Sequence, residues 1–252
     1  MKRLIILLLS ALLLPSAFLE AKRVLYIGDS ITDGGWGNSG GGAKPSDKRN
    51  HWDLNHIYGH SYMFLCAAHY MAYYPEQEHE FFNRGISGNT LADLEARWKK
   101  DAIRIHPDVL SVLIGTNDVG GAIFNGDETF DFDNWESRYR ALLDKSLAAN
   151  PRLKIVLCTP FIAPTGNMRK SDRYELREKW VKECAGRVRR IANDYHATLV
   201  PFDDMFADIM QSTPDGKGIY WIWDGIHPTA AGHQRMADLW IKCADQQQLI
   251  VQ

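Results

Sequence analysis

Residues 24–35 read VLYIGDSITDGG. Four apolar residues, Val24, Leu25, Tyr26 and Ile27, run straight into Gly28-Asp29-Ser30, and a glycine pair follows at Gly34 and Gly35. A continuous apolar run of this length, stopped by glycine, suits a strand buried on both faces, as in a parallel sheet. The strand ends by presenting a serine. Small polar residues there serve a turn. They serve equally well to hold a nucleophile at the edge of a sheet, and the rest of the chain decides between the two.

Four more short β-rich runs follow, at residues 80–82, 109–114, 155–158 and 198–201. Helical patterns lie between and after them, at 58–74, 91–105, 134–149, 171–195 and 230–244. Strand then helix, repeated five times, predicts a parallel sheet with helices on both sides and right-handed crossovers. Two long connections, 32–56 and 118–133, leave the carboxyl ends of strands, where open α/β sheets bind ligands.

The first residues read differently. Lys2 and Arg3 precede an apolar run over 4–14, then Pro15 and small residues. This is the layout of a secretory signal peptide, and the run is well short of the roughly 20 residues that span a bilayer. Removal of 1–21 is expected, with export to the periplasm or beyond the cell. No cysteine follows the run to carry a lipid. Residues 22–252 are then one domain of ordinary size. The formal charge of −2 gives no reason to expect nucleic acid or an anionic membrane surface as partner. Cys66, Cys158, Cys184 and Cys243 are far apart, without a CxxC pair, and read mostly as buried thiols.

Four segments carry chemistry: GDSIT (28–32), NRGISG (83–88), GTND (115–118) and DGIHPT (224–229). The first three follow strands and so converge on one rim of a parallel sheet. Singly, each has a plain reading as a turn or helix cap. Together they supply an acyl-transfer site. Ser30 is the candidate nucleophile, and a serine hydroxyl needs an adjacent base. His227 is that base, and Asp224, three residues earlier, is placed to hold the imidazole tautomer. Asp29 and Asp118 are alternative carboxylates, with Asp29 better suited to ordering its own turn. The amides of Ser30 and Gly85 and the side chain of Asn117 are candidate oxyanion donors.

These segments resemble four blocks of the GDSL/SGNH hydrolase family, whose letters S, G, N and H fall on Ser30, Gly85, Asn117 and His227. The resemblance runs from about residue 24 to residue 233. It implies a flavodoxin-like three-layer α/β/α sandwich with a parallel sheet of about five strands, and a Ser-His-Asp esterase mechanism without metal or cofactor. The same resemblance favours Asp224, through the family's Asp-x-x-His pattern. His56 and His60 are four apart, but no third ligand and no HExxH accompany them, so no metal is expected.

Tryptophans cluster near these segments. Trp36 and Trp52 in the first long loop, and Trp223 beside Asp224, are candidate substrate-binding residues, because an indole stacks on sugar C–H faces. Trp221 reads more readily as packing. An exported, Gly-rich, Trp-bearing relative of this family resembles carbohydrate esterases that remove acetyl groups. Two other readings stand beside it: a lysophospholipase or thioesterase acting on lipid acyl chains, and a non-catalytic glycan-binding module.

Overall fold

The computed structural model describes residues 20–38 and 43–251. The segment expected to be removed on export lies, up to residue 19, outside the described residues. Five strands, β1 (Arg23–Gly28), β2 (Glu80–Gly85), β3 (Val109–Leu113), β4 (Lys154–Cys158) and β5 (Thr198–Val200), form one sheet in the order β2-β1-β3-β4-β5. Every pairing is parallel. The helices are α1 (Ser30–Asp33), α2 (Tyr62–Tyr73), α3 (Leu91–Asp101), α4 (Thr116–Phe124), α5 (Phe132–Ala149), α6 (Tyr174–Asp194), α7 (Phe202–Ser212) and α8 (Ala230–Gln246).

Alternation along each strand builds the three layers. Val24, Tyr26, Val109 and Val156 face α2, α7 and α8, in one core with Tyr62, Phe202, Phe206 and Trp240. Leu25, Ile27, Leu110 and Leu157 face α3, α5 and α6, in a second core with Trp98, Leu142 and Val188. The strand run that opened the sequence is fully buried because both its faces are covered. Three of the four cysteines are buried, Cys66, Cys158 and Cys184, with Cys243 partly so.

Strand order puts the site at the switch point. From β1 the chain moves outward to β2, then crosses back to β3 on the other side of β1. Connections at the carboxyl ends of β1 and β3 therefore diverge and leave a crevice between them.

Three helices stand where no helix is expected from sequence: the single turn α1 that Ser30 opens, α4 and α7. α4 replaces the start of the long connection 118–133. Its Gly120-Gly121 pair lowers intrinsic helix propensity by about 1 kcal/mol per glycine, yet Val119 and Ile123 are buried against α6 residues such as Val181 and Cys184, so tertiary packing holds it. α7 shows its own signal, Phe202, Phe206 and Ile209 on one buried face with Asp203 and Asp204 in the first turn. The helix expected from residue 58 begins instead at Tyr62. Gly59 sits at φ +73° and the His60 amide bonds to the Gly34 carbonyl at 2.8 Å, which turns the preceding residues toward the site.

Candidate active site

Strand register sets the three loops at one height. Gly28 pairs with Gly85 on one side and with Leu113 on the other. Two residues past these strand ends lie Ser30, which opens α1, Ser87 in the loop after β2, and Gly115 at the start of α4. At Gly28 a β-carbon would collide with the Leu113 carbonyl oxygen and the Thr32 hydroxyl, so only glycine lets the chain turn so close to β3.

Ser30 is the first residue of α1. Asp29 caps that helix, its Oδ1 accepting the Ile31 amide at 3.0 Å. The Ser30 hydroxyl lies 2.8 Å from His227 Nε2. His227 comes from the connection between α7 and α8, which is folded as a narrow loop. Ile222 and Pro228 form an antiparallel bridge, and the Trp223 amide bonds to the His227 carbonyl at 3.1 Å. Gly225, at φ +99°, makes the turn inside it. Asp224 Oδ1 accepts the amides of Ile226 at 2.9 Å and His227 at 2.8 Å, and its Oδ2 is 2.6 Å from His227 Nδ1. A carboxylate only accepts, so Nδ1 carries the proton toward Asp224 and Nε2 is left as acceptor for the Ser30 hydroxyl. Thr229 then caps α8, accepting the Gly232 amide at 3.3 Å.

The electrostatics follow the bonds. Burial works to raise the Asp224 carboxyl, but the His227 ring and two amides outweigh it and hold it down at about 2. The bond to Asp224 raises the His227 imidazole against the opposing effect of burial. Asp29 behaves differently. Buried beneath the site, it is pushed up to about 7 by desolvation, against the Ile31 amide and the His227 charge. Asp118 is pushed up to about 6 by burial, while the Leu91 amide at 2.9 Å and the Trp135 indole at 3.0 Å oppose the rise. Asp29 and Asp118 are committed to these partners, and Asp224 is the carboxylate on the imidazole.

Asn117 lies in the first turn of α4, its Nδ2 donating to the Asn89 carbonyl at 3.1 Å, which sets it against the loop after β2. One N–H of that amide remains. Gly85 does not reach the site. Its amide donates to Asn83 Oδ1 at 2.9 Å, its carbonyl accepts the Trp36 indole N–H at 2.8 Å, and a β-carbon there would strike the backbone of Thr32 and Asp33. It is the glycine of close packing. Three residues on, Gly88 is exposed at φ +81°, with open space where a β-carbon would be. The Gly88 and Ser30 amides have no hydrogen-bond acceptor among the described residues. The second glycine of NRGISG was the signal available for this in the sequence.

The tryptophans separate. Trp36 is 1% exposed and lies between the guanidinium groups of Arg49 and Arg84, at 4.7 and 5.0 Å from its ring, so it is a packing residue and no substrate wall. Trp52 is 80% and Trp223 58% exposed, and the Trp223 ring stacks at 6.4 Å from the His227 ring. Trp221 packs, its indole donating to Thr213 at 3.1 Å. Sequence reasoning gave no role at the site to three buried polar residues behind Ser30, Asp33, Arg49 and Asn83, or to the partly buried Ser87.

The profile of the GDSL-like lipase/acylhydrolase family matches residues 26–235 of the chain. An acetylxylan esterase of Geobacillus stearothermophilus is 31% identical over 227 residues, covering 88% of this chain and 94% of its own. The crystal structure of an acetylxylan esterase from that organism aligns with a TM-score of 0.71 at 27% identity, over 89% of this chain and 94% of that one. Catalytic mutants of the same esterase carry alanine in place of a serine and of an aspartate. An α/β hydrolase enzyme from the metagenome of Lake Arreo, Spain, aligns with a TM-score of 0.70 at 28% identity, over 90% and 97% of the two chains.

Proposed function

The chain belongs to the GDSL-like lipase/acylhydrolase family and is an ester-bond hydrolase; on that premise we propose that Ser30, His227 and Asp224 carry the reaction and that the substrate is an acetylated carbohydrate. The observation that carries this reading is the continuous hydrogen-bonded line from Ser30 Oγ through His227 to Asp224, at 2.8 and 2.6 Å.

In this mechanism Ser30 Oγ attacks the ester carbonyl while His227 Nε2 takes its proton. Asp224 stabilises the imidazolium and keeps Nδ1 protonated. The carbonyl oxygen becomes an oxyanion, facing the Ser30 and Gly88 amides and the remaining Asn117 N–H. Gly88 takes the part that the sequence assigned to Gly85. The tetrahedral intermediate collapses, and the imidazolium returns its proton to the departing sugar oxygen. An acetyl-Ser30 ester remains. Water, deprotonated by His227, attacks it to give a second tetrahedral intermediate; as this collapses the imidazolium returns its proton to Ser30 Oγ, and acetate leaves.

Three observations support the substrate. Trp223 is an exposed aromatic face beside the base. The cavity of about 440 Å³ between α6 and α7, walled by Phe161, Ile162, Val181 and Phe206 together with Glu178, Lys182, Asp203 and Asp204, is lined by none of Ser30, Asn117 and His227, so it is no acyl slot at the nucleophile. A relative that is 31% identical over 227 residues is an acetylxylan esterase. We further infer export, with a mature chain beginning at Lys22, which mass spectrometry of the exported protein reads directly.

The test is acetate release from acetylated xylo-oligosaccharides beside an acyl-length series of aryl esters, for the wild type and Ser30→Ala. Acetate esters should be the fastest of the series. The Ala variant should lose on the order of 10⁵ to 10⁶ in rate without loss of fold. Rates that climb with acyl length would make the protein a lipid acyl hydrolase. An active Ser30→Ala would remove the nucleophile from the mechanism.

A further inference from the structure

Behind Ser30 lies a buried ionic cluster that takes no step in the chemistry. Asp33 closes α1, the turn that begins with Ser30, and both Asp33 and Arg49 have fully buried side chains. Asp33 Oδ1 accepts from Arg49 Nη1 at 2.5 Å and from the Gly35 amide at 3.2 Å. Its Oδ2 accepts from Arg49 Nη2 at 2.9 Å, from the Ser87 amide at 2.8 Å and from the Ser87 hydroxyl at 3.0 Å. Arg49 Nε donates to the Lys44 carbonyl at 3.0 Å. One carboxylate therefore joins three segments: the nucleophile turn, the long loop that carries Arg49, and the residue immediately before Gly88.

Burying two charges is costly, and an apolar pair of similar volume often serves stability as well. What an apolar pair cannot do is fix the distance between two loops through directed bonds. We propose, resting on the Ser30 mechanism above, that Asp33 and Arg49 are a positioning pair for the reaction. Through Ser87 they hold the Gly88 amide at a set distance from the Ser30 turn, so that nucleophile and oxyanion donor are aligned before substrate arrives. Such donors act where charge develops in the transition state, and the ground-state carbonyl gains little from them. Acylation and deacylation each pass through an oxyanion held by the same donors, so the effect falls on kcat whichever step limits.

Arg49→Lys keeps the charge and loses the two-pronged contact. Activity is read on an aryl acetate, per active site counted by burst titration with a serine-reactive phosphonate. A displacement of about 1 Å costs on the order of 10² in rate, so kcat per titrated site should fall about 30-fold, with KM within about twofold. Ser87→Ala removes one bond at the far end of the network and should lower kcat about fivefold, a misalignment smaller than outright loss of a donor. Ser87→Thr, which returns the hydroxyl, should restore it. A purely structural pair would give fewer titratable sites with wild-type kcat at each, and that result overturns the proposal. If Arg49→Lys does not fold, Ser87→Ala and its Thr rescue decide alone. Ser30→Ala keeps the two readings apart. Turnover by that variant would defeat the mechanism itself. A dead Ser30→Ala beside wild-type kcat per site in Arg49→Lys and Ser87→Ala would defeat only the positioning role.

Discussion

The two sides of the site are held by different forces. On the His227 side the bonds are short in sequence. Asp224 grips an amide two residues away, and both the amide and the ring of His227 three residues away, within one loop closed by the bridge from Ile222 to Pro228. On the Ser30 side they are long. Asp33 reaches Ser87 across 54 positions, and Asn83 reaches the Thr32 carbonyl across 51. The first side is partly open to water, and its Asp224–His227 bond raises the base while holding the carboxyl down. The second is closed from water and built of buried charge and amide. Reactivity is tuned on one side, and distance is fixed on the other.

The sharpest way to break that contrast is Asp224→Asn. The substitution keeps the shape of the loop and removes the charge that raises His227. In the best-studied serine triad the same change costs about 10⁴ in kcat, and a similar loss is expected here. The pH profile carries the sign. His227 works as a base only when neutral, so the rate rises with pH through its pKa. Asp224 raises that pKa, so its loss should move the acidic limb to lower pH. A full rate with an unmoved limb would show that the His227 side is as structural as the other.

Asn83→Ala tests the second side and has a smaller effect of another kind. The Asn83 side chain donates to the carbonyls of Thr32, Asp33 and Tyr58 and accepts the Gly85 amide. Each buried group left without a partner costs about 1–3 kcal/mol, partly shared where one N–H serves several acceptors. A loss of about 3 kcal/mol is expected. At about 2–4 °C per kcal/mol for a chain of this size, the melting temperature should fall by roughly 6–12 °C. Asp224→Asn should move it far less. Calorimetry of the two variants side by side checks this, and equal shifts would dissolve the distinction between the sides.

How far each side was legible follows the same division. Asp224, Ile226 and His227 lie within four residues, so their geometry is nearly a local property and DGIHPT announces it. The apolar run of β1, buried on both faces, announces the parallel sheet. α7 also announced itself, through Phe202, Phe206 and Ile209 on one face, and should have been read. α4 did not, because Gly120 and Gly121 argue against a helix that packing against α6 then secures. Gly85 and Gly88 are indistinguishable as letters. They differ because the Asn83 side chain turns back onto the Gly85 amide and leaves the Gly88 amide open.

By itself, the sequence determined the parallel α/β layering and the chemical parts of the site, because strand burial, helix periodicity and short motifs depend on neighbouring residues. Tertiary structure alone decided which glycine offers its amide and which carboxylates are committed elsewhere. It also decided which tryptophan is a wall: Trp36 and Trp52 stand in one loop, yet one is 1% and the other 80% exposed. Arg84 comes to Trp36 from the end of β2, and Arg49 is drawn in from farther along the same loop by Asp33. The reason is that a buried partner is chosen by proximity in space. Residues 50 positions apart come within hydrogen-bonding distance only when β1 and β2 lie side by side in register.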